Sequence, residues 1–373
     1  TPYSRFADGR AVLRSTIREY LGSEMMAGLG IATSRALCII GTGQMVRRET
    51  WEAGAVLTRL ATTHIRFGSV EYFAHNNRAE LIPTLLNHVI AHYVPSLKNS
   101  KQPYHDLLTF ITDQTAKMIA AWQAVGFCHG VMNTDNMSIL GETIDYGPFG
   151  FLEEYNPDHI CNHSDEAGRY RFQNQPSIAW WNLYALNVAL RKLVPEAEGD
   201  AIVKNFATLF EQYFFTAMAN KLGLMHDHKI DSDKNLTRNQ LIKNWLDLLE
   251  QQKADYTHSH FLLTHDWQDL ATAPLFQNAT GQQWLTDYKQ LCGVTHNISN
   301  DKERSALARQ HNPPFILRNW VAQKVIEEAE QGRYDMIDDV LAMCQNPFAV
   351  DLNHEFCQPA PAAYRHLAVS CSS

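Results

Sequence analysis

Asp135, Asn136 and Asp145 lie in the stretch HGVMNTDNMSILGETIDYG, which runs from His129 to Gly147. Carboxylates and carboxamides are hard oxygen donors of the kind that hold Mg²⁺ or Mn²⁺. Asn136 and Asp145, nine residues apart, can be brought together by a turn around Gly141. Transfer of a phosphorus-centred group needs metal on the polyphosphate, cations against its charge, and a proton acceptor for the attacking group. Asn136 and Asp145 suit the first task, and Asp135, next to Asn136, suits the last.

The same stretch fits a known frame with one departure. Protein kinases carry H-R-D-x-x-x-x-N in the catalytic loop and D-F-G after it, the first Asp acting as base. Here His129 and Asn136 fit the frame and D-Y-G follows at Asp145, but the base position is Val131. General-base catalysis requires reach rather than a fixed place in the sequence, so Asp135 can take that role. The alternative reading of Asp135 is a turn cap or a third metal ligand. His129 reads as a buttress of the loop, and Gly147 and Gly150 as backbone freedom beside the metal site.

The chain has 373 residues and a formal charge of −8. That acidity argues against a nucleic-acid binder, which needs a basic surface to displace counterions. No run approaches 18 apolar residues, so no membrane span is expected. Seven scattered cysteines with no C-x-x-C pair argue against a disulfide scaffold or a zinc ribbon. One section departs from the average: residues 1–70 hold nine Arg and no Lys against five acids, a local positive charge suited to an anion.

These residues need elements to position them. Val12, Leu13, Ile17, Tyr20, Leu21 and Met25 recur at helical spacing, with Gly28 as a stop. RALCIIGTGQMVRRET reads as two strands turning at Gly41, Thr42 and Gly43, and AVLTRLATTHIRFG as another strand. A connector is expected near EYFAHNN, and helices follow in ELIPTLLNHVIAHYVPSL and YHDLLTFITDQTAKMIAAWQAVG, the second feeding the motif. SIAWWNLYALNVALRKLV is an apolar helix in which Trp180 and Trp181 are expected in the core. Asn312, Pro313 and Pro314 precede a further helix. The order implies an α+β, protein-kinase-like two-lobed fold: residues 1–73 a small sheet-containing N-lobe, 74–210 a larger helical C-lobe with the catalytic loop, and 211–373 a helical C-terminal extension.

Long blocks carry a more specific likeness: TPYSRFADGRAVLRSTIREYLGSE, GAVLTRLATTHIRFG, GFCHGVMNTDNMSILGETIDYGPFGFLEEYNP, CNHSDEAGRY, NPPFILRNW and the terminal SCSS. In these the chain resembles the selenoprotein O family of pseudokinase-fold protein adenylyltransferases. The resemblance implies transfer of AMP from ATP to Ser, Thr or Tyr hydroxyls of proteins, with ATP reversed relative to kinases so that its α-phosphate meets the acceptor. By position, Asp135 resembles the proton acceptor, and Asn136 and Asp145 the ligands of Mg²⁺ or Mn²⁺. Asp8 and Gly9 resemble nucleotide contacts, and Arg59 and Arg66 the phosphate-binding arginines, whose guanidinium forks suit polyphosphate. Glu19 resembles the helix glutamate that pairs with a nucleotide-binding lysine. That lysine and a glycine-rich phosphate loop belong, in the family, to a segment before TPYSR, so the first part of the N-lobe is expected to lie outside this chain. The family also implies a redox pair, here Cys161 and Cys371. A cytoplasmic location is implied if the source is bacterial, a mitochondrial one being the alternative if it is eukaryotic.

Other signals carry less. GTGQMV lacks the third glycine of a dinucleotide loop. The stretch around Asp231 fails as a calcium loop because Leu236 and Ile242 stand where Gly and Glu are required. His88 and His92, without an intervening glutamate, and the group His258, His260 and His265 read as packing or surface rather than zinc sites. The rival functions are uridylyl transfer from UTP, ordinary phosphotransfer through the same loop, and a non-catalytic nucleotide-binding scaffold.

Overall fold

The computed structural model describes residues 8–48, 50–224, 232–293 and 298–364. A short strand β1 (Ala11–Val12) runs directly into helix α1 (Leu13–Gly28). Leu13, Ile17, Leu21 and Met25, spaced by one helical turn, are buried on one face of α1. That face packs on a three-stranded antiparallel sheet of order β1-β3-β2, with β2 at Arg35–Arg47 and β3 at Trp51–Leu60.

Gly41 and Gly43 do not turn the chain as expected. They lie inside β2, where the register slips between Gly41 and Met45 and Gly43 takes a left-handed φ of 67°. The strand absorbs its glycines as a bulge, and the chain reverses only between Arg47 and Trp51. The expected connector at EYFAHNN is also different, because Phe67–His75 forms a helix, α2.

Helices α3 (Ile82–His92) and α4 (Pro103–Val125) follow. Gly126 ends α4 in the left-handed region, φ 72°, and a side chain there would collide with the Tyr256 ring. The chain then forms β4 (Phe127–Cys128), which pairs with β5 (Gly150–Phe151). Residues 129–149 thus leave and return through one small ladder, which draws both ends of the motif together.

Helices α5 (Gln175–Leu190), α6 (Glu196–Lys204), α7 (Phe206–Lys221), α8 (Ser232–Gln251), α9 (Tyr256–Leu262), α10 (Trp267–Thr272), α11 (Ala279–Leu291), α12 (Ile298–His311), α13 (Asn319–Glu330) and α14 (Asp335–Gln345) complete the α+β chain. No described helix is long and apolar enough to cross a membrane.

Two apolar cores result. The larger joins α1, α2, α4, α5, α13 and α14; the other gathers Trp245, Tyr256, Trp284 and Tyr288 from α8, α9 and α11. Tyr256 Oη donates to the carbonyls of Gln123 and Ala124, pinning α9 to the end of α4. Buried Arg318, just before α13, pairs with Glu153 and with Asp255 (2.8 Å).

Trp180 and Trp181 are not core residues: they stand 42% and 47% exposed on α5. The core side of that helix is taken by Ala179, Leu183, Leu186 and Leu190. His260 uses both ring nitrogens, one with Trp245 Nε1 and one with the Tyr256 carbonyl, leaving none for a metal.

Candidate active site

Local structure explains how the motif is held. His129 is fully buried, its backbone N–H donating to Gln175 of α5 and its Nε2 bonding the Ile144 carbonyl at 2.9 Å. Burial pushes its pKa below the ordinary histidine value, so the ring stays neutral and works as a strut between the loop and the Asp145 segment. Asn182 of α5 donates to the Met132 carbonyl at 2.9 Å and fixes the loop from beneath. The loop then makes one tight turn at Thr134–Asn136.

Asn136 is oriented by its own amide. Nδ2 donates to the Val131 carbonyl at 2.9 Å, which turns the carboxamide oxygen away from that bond. Asp145 takes a left-handed backbone, φ 59°, which short polar side chains tolerate better than most residues.

The arginines arrive from the sheet and its exit. Arg59 sits near the end of β3, opposite Ala36 of β2. Arg66 pairs as an antiparallel bridge with Ser138, and Phe67 N donates to the Met137 carbonyl, so the start of α2 is tied to the residues that follow Asn136. Arg59 Nη1 donates to Glu19 Oε1 at 2.6 Å and to Asp145 Oδ1 at 2.7 Å. Arg66 donates to both oxygens of Asp145, and its Nη1 also reaches the Asp135 carbonyl at 2.6 Å. Glu19, Arg59, Asp145, Arg66 and the Asp135 backbone therefore form one continuous chain of charge-assisted bonds.

Electrostatics follow from that chain. Burial works against the Asp145 charge, but the Arg59 and Arg66 guanidiniums outweigh it, and its carboxyl is held below the usual range. Glu19 goes the other way: burial dominates, aided by the Asp145 charge, and its carboxyl is pushed up despite Arg59. Arg59 is also largely buried, yet Glu19 and Asp145 keep it firmly cationic.

Five of the sequence-predicted residues, Glu19, Arg59, Arg66, Asp135 and Asp145, meet here, and Asn136 adjoins them in the loop. Asp8 and Gly9 do not join the cluster. Asp8 accepts from Arg48 at 3.1 Å and from Arg10 N at 3.0 Å in the exposed segment before β1. Cys161 is buried, its Sγ 3.3 Å from the Cys128 carbonyl, and burial raises its thiol pKa. Cys371 lies outside the described residues.

Three supporting residues escaped sequence reasoning. Arg18 is buried and donates to the Phe149 carbonyl at 2.6 Å and to Asn319 at 3.2 Å, tying α1 to both the Asp145 segment and α13. Gly68 packs so closely against the Asp135 carboxylate that any side chain would strike it. Asn182 is the third; a buried amide in the apolar run WWNLY was its only signal. The Arg18 and Gly68 contacts join distant parts of the chain and leave no local pattern.

Among the described residues, no group of three or more His, Cys, Asp and Glu forms a metal cage. Asn136 and Asp145 are of the hard-oxygen type that Mg²⁺ or Mn²⁺ takes, and both Asp145 oxygens are held by Arg59 and Arg66.

Sequence comparison finds relatives along the whole chain. The family model described as Protein adenylyltransferase SelO matches residues 1–345. The chain is similar to the protein nucleotidyltransferase YdiU of Myxococcus xanthus, 43% identical over 380 residues covering 100% of this chain and 76% of the relative. It is also similar to the YdiU proteins of Thioalkalivibrio sulfidiphilus, 44% identical over 384 residues and 76% of the relative, and Photobacterium profundum, 41% over 404 residues and 77%. Each alignment covers this chain completely.

Proposed function

Because the chain belongs to the SelO family of protein adenylyltransferases, we propose that it is a metal-dependent enzyme moving AMP from ATP to Ser, Thr or Tyr hydroxyls of proteins. The observation that carries this reading is the convergence of Asp135, Asp145, Arg59 and Arg66 through one guanidinium-linked chain. The proposed frame is a kinase-like fold with an N-lobe over 1–73, a C-lobe over 74–210 and a helical extension over 211–373.

Each residue then has a task. Asp135 accepts the proton of the acceptor hydroxyl as its oxygen attacks the α-phosphorus and the bond to the pyrophosphate oxygen breaks. Asn136 and Asp145 would hold Mg²⁺ or Mn²⁺, which would supply positive charge against the phosphates. Arg59 and Arg66 contact the phosphates, and Glu19 keeps Arg59 in place. Asp8 and Gly9 contribute nucleotide contacts from the edge of the sheet.

The test is Asp135→Ala, assayed with α-labelled ATP and a protein acceptor. Loss of a general base costs about 10²–10⁴-fold in rate, and nucleotide binding should be retained. Transfer at the wild-type rate removes Asp135 from the mechanism. Label at the γ- rather than the α-phosphate distinguishes ordinary phosphotransfer, and competition with UTP distinguishes uridylyl transfer. The proposed redox control links buried Cys161 to Cys371; a peptide map of oxidised protein without that cross-link removes it.

A further inference from the structure

Helix α5 is apolar on two faces and carries no charged residue. Ala179, Leu183, Leu186 and Leu190 are buried, while Trp180, Trp181, Tyr184 and Val188 are exposed on the other side. A helix apolar all round is ordinarily covered all round. The outer row Trp180, Tyr184, Val188 recurs every fourth residue and spans about 12 Å of helix. Its rings are ordered: Trp180 and Tyr184 stack with centroids 6.0 Å apart and planes 18° from parallel.

Charge completes the face. The Arg169 guanidinium lies 5.3 Å from the Trp181 ring centroid and 5.7 Å from that of Tyr170. Neighbouring arginines are neutralised, Arg171 by Asp158 at 2.8 Å and Arg191, which also donates to Tyr184 Oη, by Glu196 at 2.7 Å. Arg169 is exposed, and no described carboxylate pairs with it. Trp, Tyr and Arg are the side chains that dominate binding energy at protein interfaces. The inner side of the same helix carries the motif, since Gln175 accepts from His129 N and Asn182 donates to the Met132 carbonyl. A protein seated on the outer side is therefore held at a fixed position relative to Asp135.

From this face we infer that α5 docks the acceptor protein, taking an amphipathic helical segment with aliphatic or aromatic side chains at i and i+4 and a carboxylate that reaches Arg169. The inference rests on the reading given under Proposed function and adds to it the kind of partner recognised. Docking at α5 acts on the KM of the acceptor and leaves kcat to the loop.

Fluorescence anisotropy with labelled peptides and the full chain tests the surface directly. One peptide is an amphipathic helix with Leu on one face and Glu on the other, a second has Lys in place of Glu, and a third scrambles the first. The Leu/Glu helix should bind wild-type protein at least about tenfold more tightly than either control, and Trp180→Ala/Trp181→Ala should weaken it at least about 30-fold, the loss of a hot spot. Arg169→Glu should reverse the preference between the Glu and Lys peptides, and both variants should unfold at the wild-type temperature. In transfer from α-labelled ATP, casein fused to the Leu/Glu helix should show a lower KM than casein alone, a difference that Trp180→Ala/Trp181→Ala abolishes at unchanged kcat. Equal peptide affinity in wild type and the double variant overturns the inference, as does equal KM for the two caseins. Sedimentation showing that wild-type protein self-associates and Trp180→Ala/Trp181→Ala does not also overturns it, by making the face a contact between copies. Absence of label on both caseins counts instead against the transferase reading, and the peptide titrations still decide the docking surface.

Discussion

Gly68→Ala should inactivate the enzyme without harming the fold. Gly68 lies in the first turn of α2, where alanine is the better helix former by about 0.5–1 kcal/mol. Its methyl group, however, would land on Asp135 Oδ1, with the Asp135 Cγ 3.0 Å and the Cα 3.3 Å away. The Cα needs to give by only a few tenths of an ångström, so it is the carboxylate that must turn away. The carboxylate must withdraw by about 1 Å, and a misplacement of that size costs about 100-fold in rate, near 2.7 kcal/mol of barrier. The assay is α-label incorporation into protein at saturating ATP, alongside thermal unfolding and nucleotide titration. We expect kcat to fall about 100-fold, with nucleotide affinity and unfolding temperature close to wild type. Gly68→Ala combined with Asp135→Ala should be no worse than Asp135→Ala alone, since both act through one group. A wild-type kcat in Gly68→Ala, or a loss that adds to that of Asp135→Ala, refutes the argument.

Other consequences are independent of that one. Asn182→Ala removes the prop under Met132 and should lower kcat while leaving stability within about 1–2 kcal/mol of wild type, measured by steady-state kinetics and urea unfolding. Lys221 is fully buried, and desolvation brings its pKa from 10.5 down to about 7. Between those values the unfolded chain holds the proton and the folded one does not, so wild-type stability should gain with rising pH; below about 7 the charge is buried at full cost. Lys221→Met should therefore stabilise the protein more at pH 6 than at pH 10, by an amount on the order of 4 kcal/mol, read from paired denaturation curves. Arg318→Met strands Glu153 and Asp255 and should cost about 3 kcal/mol in chemical denaturation, at the low end for a buried ion pair because Glu153 is partly exposed.

Much of this was legible in the chain. The spacing of Leu13, Ile17, Leu21 and Met25 specifies α1 because burial of one helical face is a local property of the sequence. Asp135, Asn136 and Asp145 were legible because the turn and ladder that gather them are nearly local. Other features were not. Gly41 and Gly43 could serve a turn or a bulge equally well, and pairing with β3 chose the bulge. Trp180 and Trp181 look like core by composition, yet α5 turns Leu183 and Leu186 inward and leaves both indoles outside.

The sequence by itself determined which chemical groups are present and which short segments carry them, since donor type and helical periodicity need only near neighbours. Tertiary structure alone decided their partners. Arg59 reaches Asp145 across 86 residues and Arg66 across 79, and only packing of α1 on the sheet brings Glu19 beside them. Nor could any local pattern say that Arg59, Arg66 and Asp145 are paired together: charges pair with whatever opposite charge the fold leaves nearest in a poorly solvated place.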